Sequence, residues 1–337
     1  MKRHANLFDK IVDINNLYLA DQLASKGKLK QQSVKNHMKN QDMNLYALQK
    51  DLLDKKFKTS PYKVFKVFEP KEREVYRLPY FPDRIVHHAI MNVLEPLFVS
   101  TFTTDTYSCI KGMGLHKASR RLSVDLRDES STKYCLKIDI KKFYPNVDHD
   151  TLKSMLRRKL KDKDLLNLLD EIIDSADGLP IGNYLSQYFA NFYLTYFDHW
   201  IKEVLKIKYY YRYADDIVIL SDSKDHLHRV LWQISGYLQD NLKLDVKGNY
   251  QVFPVASRGI DFLGYVHFHK HKLLRKSIKK RFAAKVKRGA KRESISSYMG
   301  WLKHANCRNL IKTVLPNEII LSIQHSDHTN DIHRRQD

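Results

Sequence analysis

Apolar positions recur at three- and four-residue intervals along most of this chain and at two-residue intervals in a few short stretches. Residues 1 to about 60 alternate basic and apolar positions and read as helices of a small N-terminal subdomain. "SPYKVFKVFEP" alternates Tyr62, Val64 and Val67 with polar partners between Pro61 and Pro70, a strand signature. "DRIVHHAIMNVLEPLF" carries Ile85, Ala89, Ile90, Val93, Leu94 and Leu97 at helical spacing, with Asp83 as its entry cap. In "YCLKIDI" the period of two sets Leu136, Ile138 and Ile140 on one strand face and Lys137 and Asp139 on the other. "DTLKSMLRRKL" follows as a helix. From about Asn183 to Leu205 a stripe of Leu185, Phe189, Phe192, Tyr196, Trp200 and Val204 predicts one long helix. A helix over 225–240, a strand pair in "GIDFLGYVHF" and a basic helix in "KSIKKRFAAKVKR", striped by Ile278, Phe282 and Val286, complete the pattern, with a loose boundary near Lys272.

Composition narrows the class. Hydrophobic residues make up 43% and aromatic residues 11% of 337 residues, which is globular and suits two or three domains. The net charge of +21 exceeds what solubility needs and points to a polyanionic partner, nucleic acid ahead of membrane. Cys109, Cys135 and Cys307 are far apart and form no CxxC pair, which argues against a disulfide scaffold or zinc ribbon and for a reducing compartment. The start "MKRHANLFDK" has no signal-peptide core and no run approaches a membrane span, so the expectation is a soluble cytoplasmic protein.

"YYYRYADDIVIL", at 209–220, places two acids between strand-like runs, and "ADD" reads as the turn of a β-hairpin displaying Asp215 and Asp216 at its tip. Adjacent carboxylates repel unless a cation joins them, although a solvated turn also favours Asp. Asp139 changes the weighing. If its strand neighbours the hairpin, three carboxylates converge, a set suited to Mg²⁺. Two such ions roughly 4 Å apart serve phosphoryl transfer, so nucleotidyl transfer leads the candidate chemistries.

"YADD" at 213–216 and "KIDIKKFYPNVDH" at 137–149 resemble the palm motifs of reverse transcriptases. Further blocks follow in order: "DRIVHHAI", "YSCIKGMGLHKA", "GLPIGNYLSQYFANFYL", "LKLDVKGNY" and "IDFLGY", with "SYMGWLKHANCRNL" similar to a bacterial thumb. The resemblance covers roughly residues 65 to 315. It implies an α+β right hand of fingers, palm and thumb, with an antiparallel palm sheet, helices packed on one of its faces, and a helical thumb. The expected division is an N-terminal extension and start of fingers over 1–70, and fingers over 71–133. A palm over 134–271, with a helical insertion around 150–180, and a thumb with a polar tail over 272–337 complete it.

The resemblance also implies site roles. Asp139, Asp215 and Asp216 become the catalytic, metal-holding triad for two Mg²⁺ ions, with Mn²⁺ as a substitute, and Ile140 lends a backbone carbonyl. Tyr144 matches the aromatic gate beneath the nucleotide sugar; Phe143 is the fallback and reads better as core. Lys71 and Arg73 match the residues that hold the dNTP triphosphate, and Lys111 is a similar candidate. Gly182 lets the backbone approach the nucleotide, and Lys247 matches the lysine of the sixth block. Lys276, Lys279, Lys280, Arg281, Lys285, Lys287 and Arg288 would grip phosphates of the RNA/cDNA duplex.

The fourth block is informative. Most bacterial relatives read QGxxxSP, whereas this chain runs Ile181-Gly182-Asn183-Tyr184-Leu185-Ser186-Gln187. IGxxxSQ is similar to the reverse transcriptases of diversity-generating retroelements, bacterial or phage-encoded, which copy a template RNA and misincorporate opposite its adenines. An isoleucine at 181 can neither donate nor accept a hydrogen bond where the family has an amide, so Ile181 and Gln187 are the expected fidelity residues. This family implies a small, basic, oligomeric accessory variability protein as partner, and no membrane. The sequence shows no long maturase region and no zinc-ligated endonuclease, so splicing and target cutting are not expected. "HFHKH" reads as a solvated strand face with His267, His269 and His271 alternating, and "HSDHTNDIHRRQD" as a frayed tail. A faithful reverse transcriptase of another retroelement or phage-defence system, an RNA-dependent RNA polymerase, and a non-catalytic RNA-binding scaffold stay open as alternatives.

Overall fold

The computed structural model describes residues 3–68, 72–289 and 291–315. Lys71 and the polar tail beyond Leu315 lie outside the described residues. The chain forms two compact units: 1–114 with 136–219 and 228–251, and 115–135 with 220–227 and 252–337.

The first unit opens with helices Phe8–Val12, Ile14–Ser25, Gln32–Met38 and Gln41–Leu53. Asp13 caps the second by accepting from the backbone N–H groups of Asn15 and Asn16. Strands β1 (Lys63–Val67) and β2 (Arg73–Arg77) pair antiparallel with Lys63 opposite Arg77. Every residue of β1 is exposed, so the alternation in this stretch marks a free-standing ribbon and not a half-buried strand. Helix Ile85–Val99 packs on Ile14–Ser25.

The central sheet has the order β4-β5-β3-β6, where β3 is Tyr134–Asp139, β4 Tyr209–Tyr213, β5 Asp216–Ser221 and β6 Gln251–Pro254. Leu136 and Ile138 of β3, and Ile217 to Ile219 of β5, are buried.

Two expectations shift in detail. Asp83 is not a helix cap. It lies inside a wide turn, Tyr80–Arg84, fully buried, where its carboxylate accepts from the Ser60 backbone N–H at 2.9 Å. The long helix from 183 is broken into Tyr184–Tyr193, Thr195–His199 and a wide turn Trp200–Val204. Thr195 Oγ1 donates back to the Asn191 carbonyl at 3.2 Å, a bond that bends helices. The bend resets the phase of the stripe. Leu185, Phe189 and Phe192 are buried as expected, but Phe197 and Ile201 replace Trp200 and Val204, and Val204 is 65% exposed.

That bend delivers Asp198 to a buried charge network. Arg212 and Asp198 are both fully buried, with Arg212 Nε 2.7 Å from Asp198 Oδ1. Tyr210 Oη and Thr106 Oγ1 donate to the same carboxylate at 2.6 and 3.0 Å. Arg212 also donates to Asn191 Oδ1 at 3.1 Å and to the Ala214 carbonyl at 3.2 Å. Backbone bonds Arg212 N to Asp105 O and Tyr107 N to Arg212 O stitch the 105–107 loop to β4.

The second unit contains helix Leu115–Asp125, the antiparallel sheet β7-β8-β9 (Ile260–Phe262, Tyr265–His267, Lys272–Leu274), and helices Lys276–Lys287, Arg292–Leu302 and Arg308–Val314. Ile278 and Phe282 enter its core with Tyr265, Leu274 and Leu302, and Val286 packs against it. Gly264 turns between β7 and β8 at φ +84, and a Cβ there would stand 2.5 Å from Trp301, so both conformation and space require glycine. The "HFHKH" expectation is corrected: β8 ends at His267, which is fully buried with Nδ1 3.1 Å from Ser123 Oγ, and His269 Nε2 is 3.1 Å from the Thr132 carbonyl. Burial lowers the His267 pKa to about 3, so this imidazole is a neutral core group at physiological pH. Among the described residues no helix is long and apolar enough to cross a membrane.

Arg212→Met leaves the Asp198 charge buried without its partner and is expected to cost about 3 kcal/mol or more. The double variant Arg212→Met with Asp198→Leu is expected to lose less than either single change. Thermal unfolding of the three proteins checks the order.

Candidate active site

Asp139 is the last residue of β3, and Asp216 the first of β5, the neighbouring strand. Adjacent strands lie about 4.8 Å apart, so the sheet itself brings these two carboxylates together. Ala214 and Asp215 form the hairpin turn, with Ala214 in the left-handed region at φ 54. Asp216 therefore belongs to the strand, and only Asp215 sits at the tip. The Ile140 N–H donates to the Asp215 carbonyl at 3.3 Å, which ties the turn to the end of β3.

The three acids interact. Burial, then the charge of Asp139, with a smaller contribution from Asp216, raises the Asp215 pKa from 3.8 to about 6. Two lysines flank the group. Lys137 Nζ is 3.6 Å from Asp216 Oδ1, and Lys247 Nζ is 3.7 Å from Asp139 Oδ2. Both distances exceed a hydrogen bond, so each lysine offsets charge without fixing geometry. The Lys247 N–H donates to the Asp139 carbonyl at 2.9 Å, anchoring the sixth-block lysine beside β3.

Among the described residues, no three Asp, Glu, His or Cys side chains close on one point as a preassembled metal cage. The donor chemistry still fits a hard divalent ion. The donors are carboxylate oxygens, and the burial and mutual repulsion that raise the Asp215 pKa are what a bound cation relieves.

Tyr144 follows on a short 3₁₀ turn, Tyr144–Asn146. Burial first, then Cys109 and Asp215, push its phenol upward, and its ring meets that of Phe143 edge-on with centroids 5.5 Å apart. Phe143 is 2% exposed and belongs to the core.

The fourth block docks on the β1–β2 ribbon. The Ile181 carbonyl accepts from the Tyr76 N–H at 2.8 Å. Gly182 adopts φ +117, and a Cβ there would stand 2.6 Å from the Tyr76 carbonyl. The close approach that this glycine permits is thus to β2. Asn183 turns its side chain to Tyr62 Oη at 2.8 Å and leaves helix Tyr184–Tyr193 without a side-chain cap. Gln187 is exposed and lines a cavity of about 280 Å³ with Gly182, Lys28, Arg84, His87 and His88. Burial holds His87 and His88 neutral, at about 3 and about 4, so Lys28 and Arg84 carry the charge there.

Arg73 is exposed on β2, and Lys111 is exposed on the loop after Tyr107; Lys71 lies outside the described residues. In the second unit Lys276, Lys280, Arg281, Lys285, Lys287 and Arg288 are exposed along one helix, and Lys279 is half-buried.

A family profile described as reverse transcriptase (RNA-dependent DNA polymerase) matches residues 69–267, more than half of the 337-residue chain. The chain belongs to the reverse transcriptase family. This reverse transcriptase is 25% identical over 282 residues to protein YkfC of Escherichia coli K12, a match covering 69% of this chain and 72% of that protein. It is 24% identical over 143 residues to the group II intron-encoded protein LtrA of Lactococcus lactis, covering 39% of this chain and 23% of the relative. Among solved structures, apo telomerase from Candida tropicalis aligns with a TM-score of 0.50 at 11% identity, over 68% of this chain and 52% of that one. That likeness carries the fold alone: an α+β right-hand polymerase. The enzyme class is RNA-directed DNA polymerase.

Two residues of this reverse transcriptase escaped sequence reasoning. Lys137 shares the polar strand face with Asp139, two positions away, and that spacing was the available signal. Arg212 sits in an aromatic run where a charge must have a buried partner, but Asp198 lies 14 residues away and nothing in the spacing selects it.

The folded pKa of Asp215 exceeds the unfolded value. Between about 4 and 6 the native state therefore binds more protons, and stability falls as pH rises through that window. In chelated, metal-free enzyme, Asp215→Asn is expected to raise the melting temperature by a few degrees at pH 7.5. It is expected to leave it unchanged near pH 4, where wild type is protonated. Melting scans at both pH values test this.

Proposed function

We propose that this reverse transcriptase makes error-prone, adenine-mutagenic cDNA from a template-repeat RNA, for diversification of a target gene. The reading rests on one observation: the fourth block carries Ile181 and Gln187 in place of the amide and proline of most bacterial relatives. The placement of these residues supports it. Ile181 is pinned to β2 through its backbone and offers only hydrocarbon from its side chain. Gln187 presents an amide to a basic cavity instead of a rigid proline ring.

In this reading the central sheet is the palm. Asp139, Asp215 and Asp216, with the Ile140 carbonyl, would hold two Mg²⁺ ions. When bound, such ions supply charge stabilisation to the attacking and leaving oxygens of nucleotidyl transfer. Lys137 and Lys247 offset the charge of Asp216 and Asp139 until an ion is engaged. Tyr144 stacks beneath the sugar of the incoming dNTP and excludes a 2′-hydroxyl. Lys71, Arg73 and Lys111 take its triphosphate. The cations of helix Lys276–Lys287 and Arg288 grip the RNA/cDNA duplex. Discrimination depends on transition-state contacts, and a missing hydrogen-bonding group relaxes it. The partners are the template RNA and a small basic accessory variability protein.

Primer extension on an adenine-containing RNA with Mg²⁺ and dNTPs, read by sequencing, tests the function. Extension is expected to vanish in the double variant Asp215→Ala with Asp216→Ala. Errors are expected to concentrate opposite adenine in wild type and to fall about tenfold or more in Ile181→Gln with Gln187→Pro. Faithful extension by wild type would sink the diversification reading and leave an ordinary retroelement enzyme. In the same assay Tyr144→Ala is expected to admit ribonucleotides that wild type rejects.

A further inference from the structure

His149 closes the block "KIDIKKFYPNVDH" and opens helix His149–Lys159. Its backbone is held by its neighbour. Asp148 caps the helix by accepting from the Thr151 N–H at 2.9 Å, and the Asp148 N–H donates to Tyr193 Oη at 3.3 Å. From that seat the imidazole reaches a distant segment. Its Nε2 lies 2.8 Å from the Gly178 carbonyl, and its Nδ1 lies 3.2 Å from Asp174 Oδ1. A carbonyl oxygen only accepts, so this partner assigns the Nε2 hydrogen to the Gly178 bond. Asp174 is itself gripped by Lys153 Nζ at 2.6 and 2.5 Å, so the ring is fixed through both nitrogens. The helix start is already capped by Asp148, and the imidazole acts on the Gly178 segment instead.

The other contacts of that segment give the bond a consequence. Gly178 has φ +59, and a Cβ there would stand 2.5 Å from the Pro145 carbonyl oxygen and 2.6 Å from that of Tyr144. Both conformation and space require glycine at this close approach. The next residue, Leu179, is buried and donates its N–H to the Tyr144 carbonyl at 2.8 Å. Residues 178 and 179 are thus the link between His149 and the turn Tyr144–Asn146. That turn is three residues long, and Pro145 within it has no N–H to offer. Farther along, the Ile181 carbonyl takes the Tyr76 N–H. The stretch 178–182 is therefore bonded to the Tyr144 turn near one end and to β2 near the other.

We propose that His149 is a positioning residue for sugar selection. Its Nε2–H holds Gly178, Gly178 and Leu179 hold the Tyr144 turn, and the Tyr144 ring is thereby kept where it rejects a 2′-hydroxyl. The inference rests on the reading of Tyr144 as the sugar gate. His149 acts through backbone contacts and not on the nucleotide itself. Misplacing a positioning group by about 1 Å can change a rate about a hundredfold, and the two sugars differ by a single hydroxyl.

The test compares two variants. His149→Phe keeps a planar ring and removes the donor, whereas His149→Gln keeps an N–H donor within reach of the same carbonyl. One readout is the ratio of kcat/KM for a dNTP over the matching ribonucleotide in primer extension. The other is hydrogen exchange at the Leu179 amide in chelated enzyme without nucleotide. His149→Phe is expected to lower the ratio about tenfold and to speed Leu179 exchange. His149→Gln is expected to stay near wild type in both. Asp174→Ala, which frees the ring at Nδ1, is expected to move both readouts in the direction of His149→Phe by a smaller factor, and it stands in if melting scans show that His149→Phe does not fold. Tyr144→Ala is run beside them. If Tyr144→Ala lowers the ratio and His149→Phe does not, the inference is overturned. An equal loss on both sugars in His149→Phe also overturns it, because the histidine would then be structural only. If Tyr144→Ala leaves the ratio unchanged, the gate reading itself fails. Unchanged Leu179 exchange in His149→Phe would then overturn the clamp as well, whereas faster exchange would uphold the clamp without the gate.

Discussion

The buried ion pair between Arg212 and Asp198 is the constraint on which the candidate site depends. A charge pair with no exposure is tolerated only when its remaining hydrogen-bonding positions are filled. Here Tyr210, Thr106, Asn191 and the Ala214 carbonyl fill them. The last of these matters most for function. Ala214 is held in a left-handed conformation, and the arginine beneath it fixes the turn that places Asp215 against the end of β3. The same arginine's backbone anchors the 105–107 loop, which leads to Cys109 and Lys111. One buried arginine, through its guanidinium and its backbone, thus sets the relative positions of the hairpin tip and the loop beside it.

Charge works in the opposite sense a few ångströms away. The chain is strongly basic overall, yet its sheet concentrates three acids at one end of its two central strands. Asp215 registers the strain through its raised pKa, and Lys137 and Lys247 sit close enough to moderate it without forming hydrogen bonds. Groups held in this way are poised to exchange a weak counter-charge for a stronger one, which is the property a phosphoryl-transfer site requires.

The fourth block links chemistry to fold in a way its motif alone does not express. Its glycine and the residue before it are occupied with Tyr76 of the ribbon, so a change at Ile181 acts on a segment already clamped between two elements. A substitution there alters the side chain presented while leaving the backbone path set by β2. Gln187, one helical turn further on, lies on an exposed helix face beside Lys28 and Arg84 and is free of that clamp.

Periodicity and ordered motifs determined much of this protein from sequence alone. Period-two alternation located Asp139 on the polar face of its strand, turn chemistry located the acidic hairpin, and the ordered blocks placed the chain among the reverse transcriptases. These features are local, or are repeated in many sequences, and so can be read from neighbours in the chain. The tertiary structure alone decided which distant groups meet. The bend at Thr195 rephased a helix and buried Asp198 against Arg212, His267 became a core residue, Asp83 left its cap to hold Ser60, and Lys63 came to face Arg77 across a ribbon. Apart from the local bond at Thr195, each of these follows from segments distant in the chain being brought together. Spacing along the sequence carries no information about such partners, because their meeting is imposed by the packing of elements that are themselves formed locally.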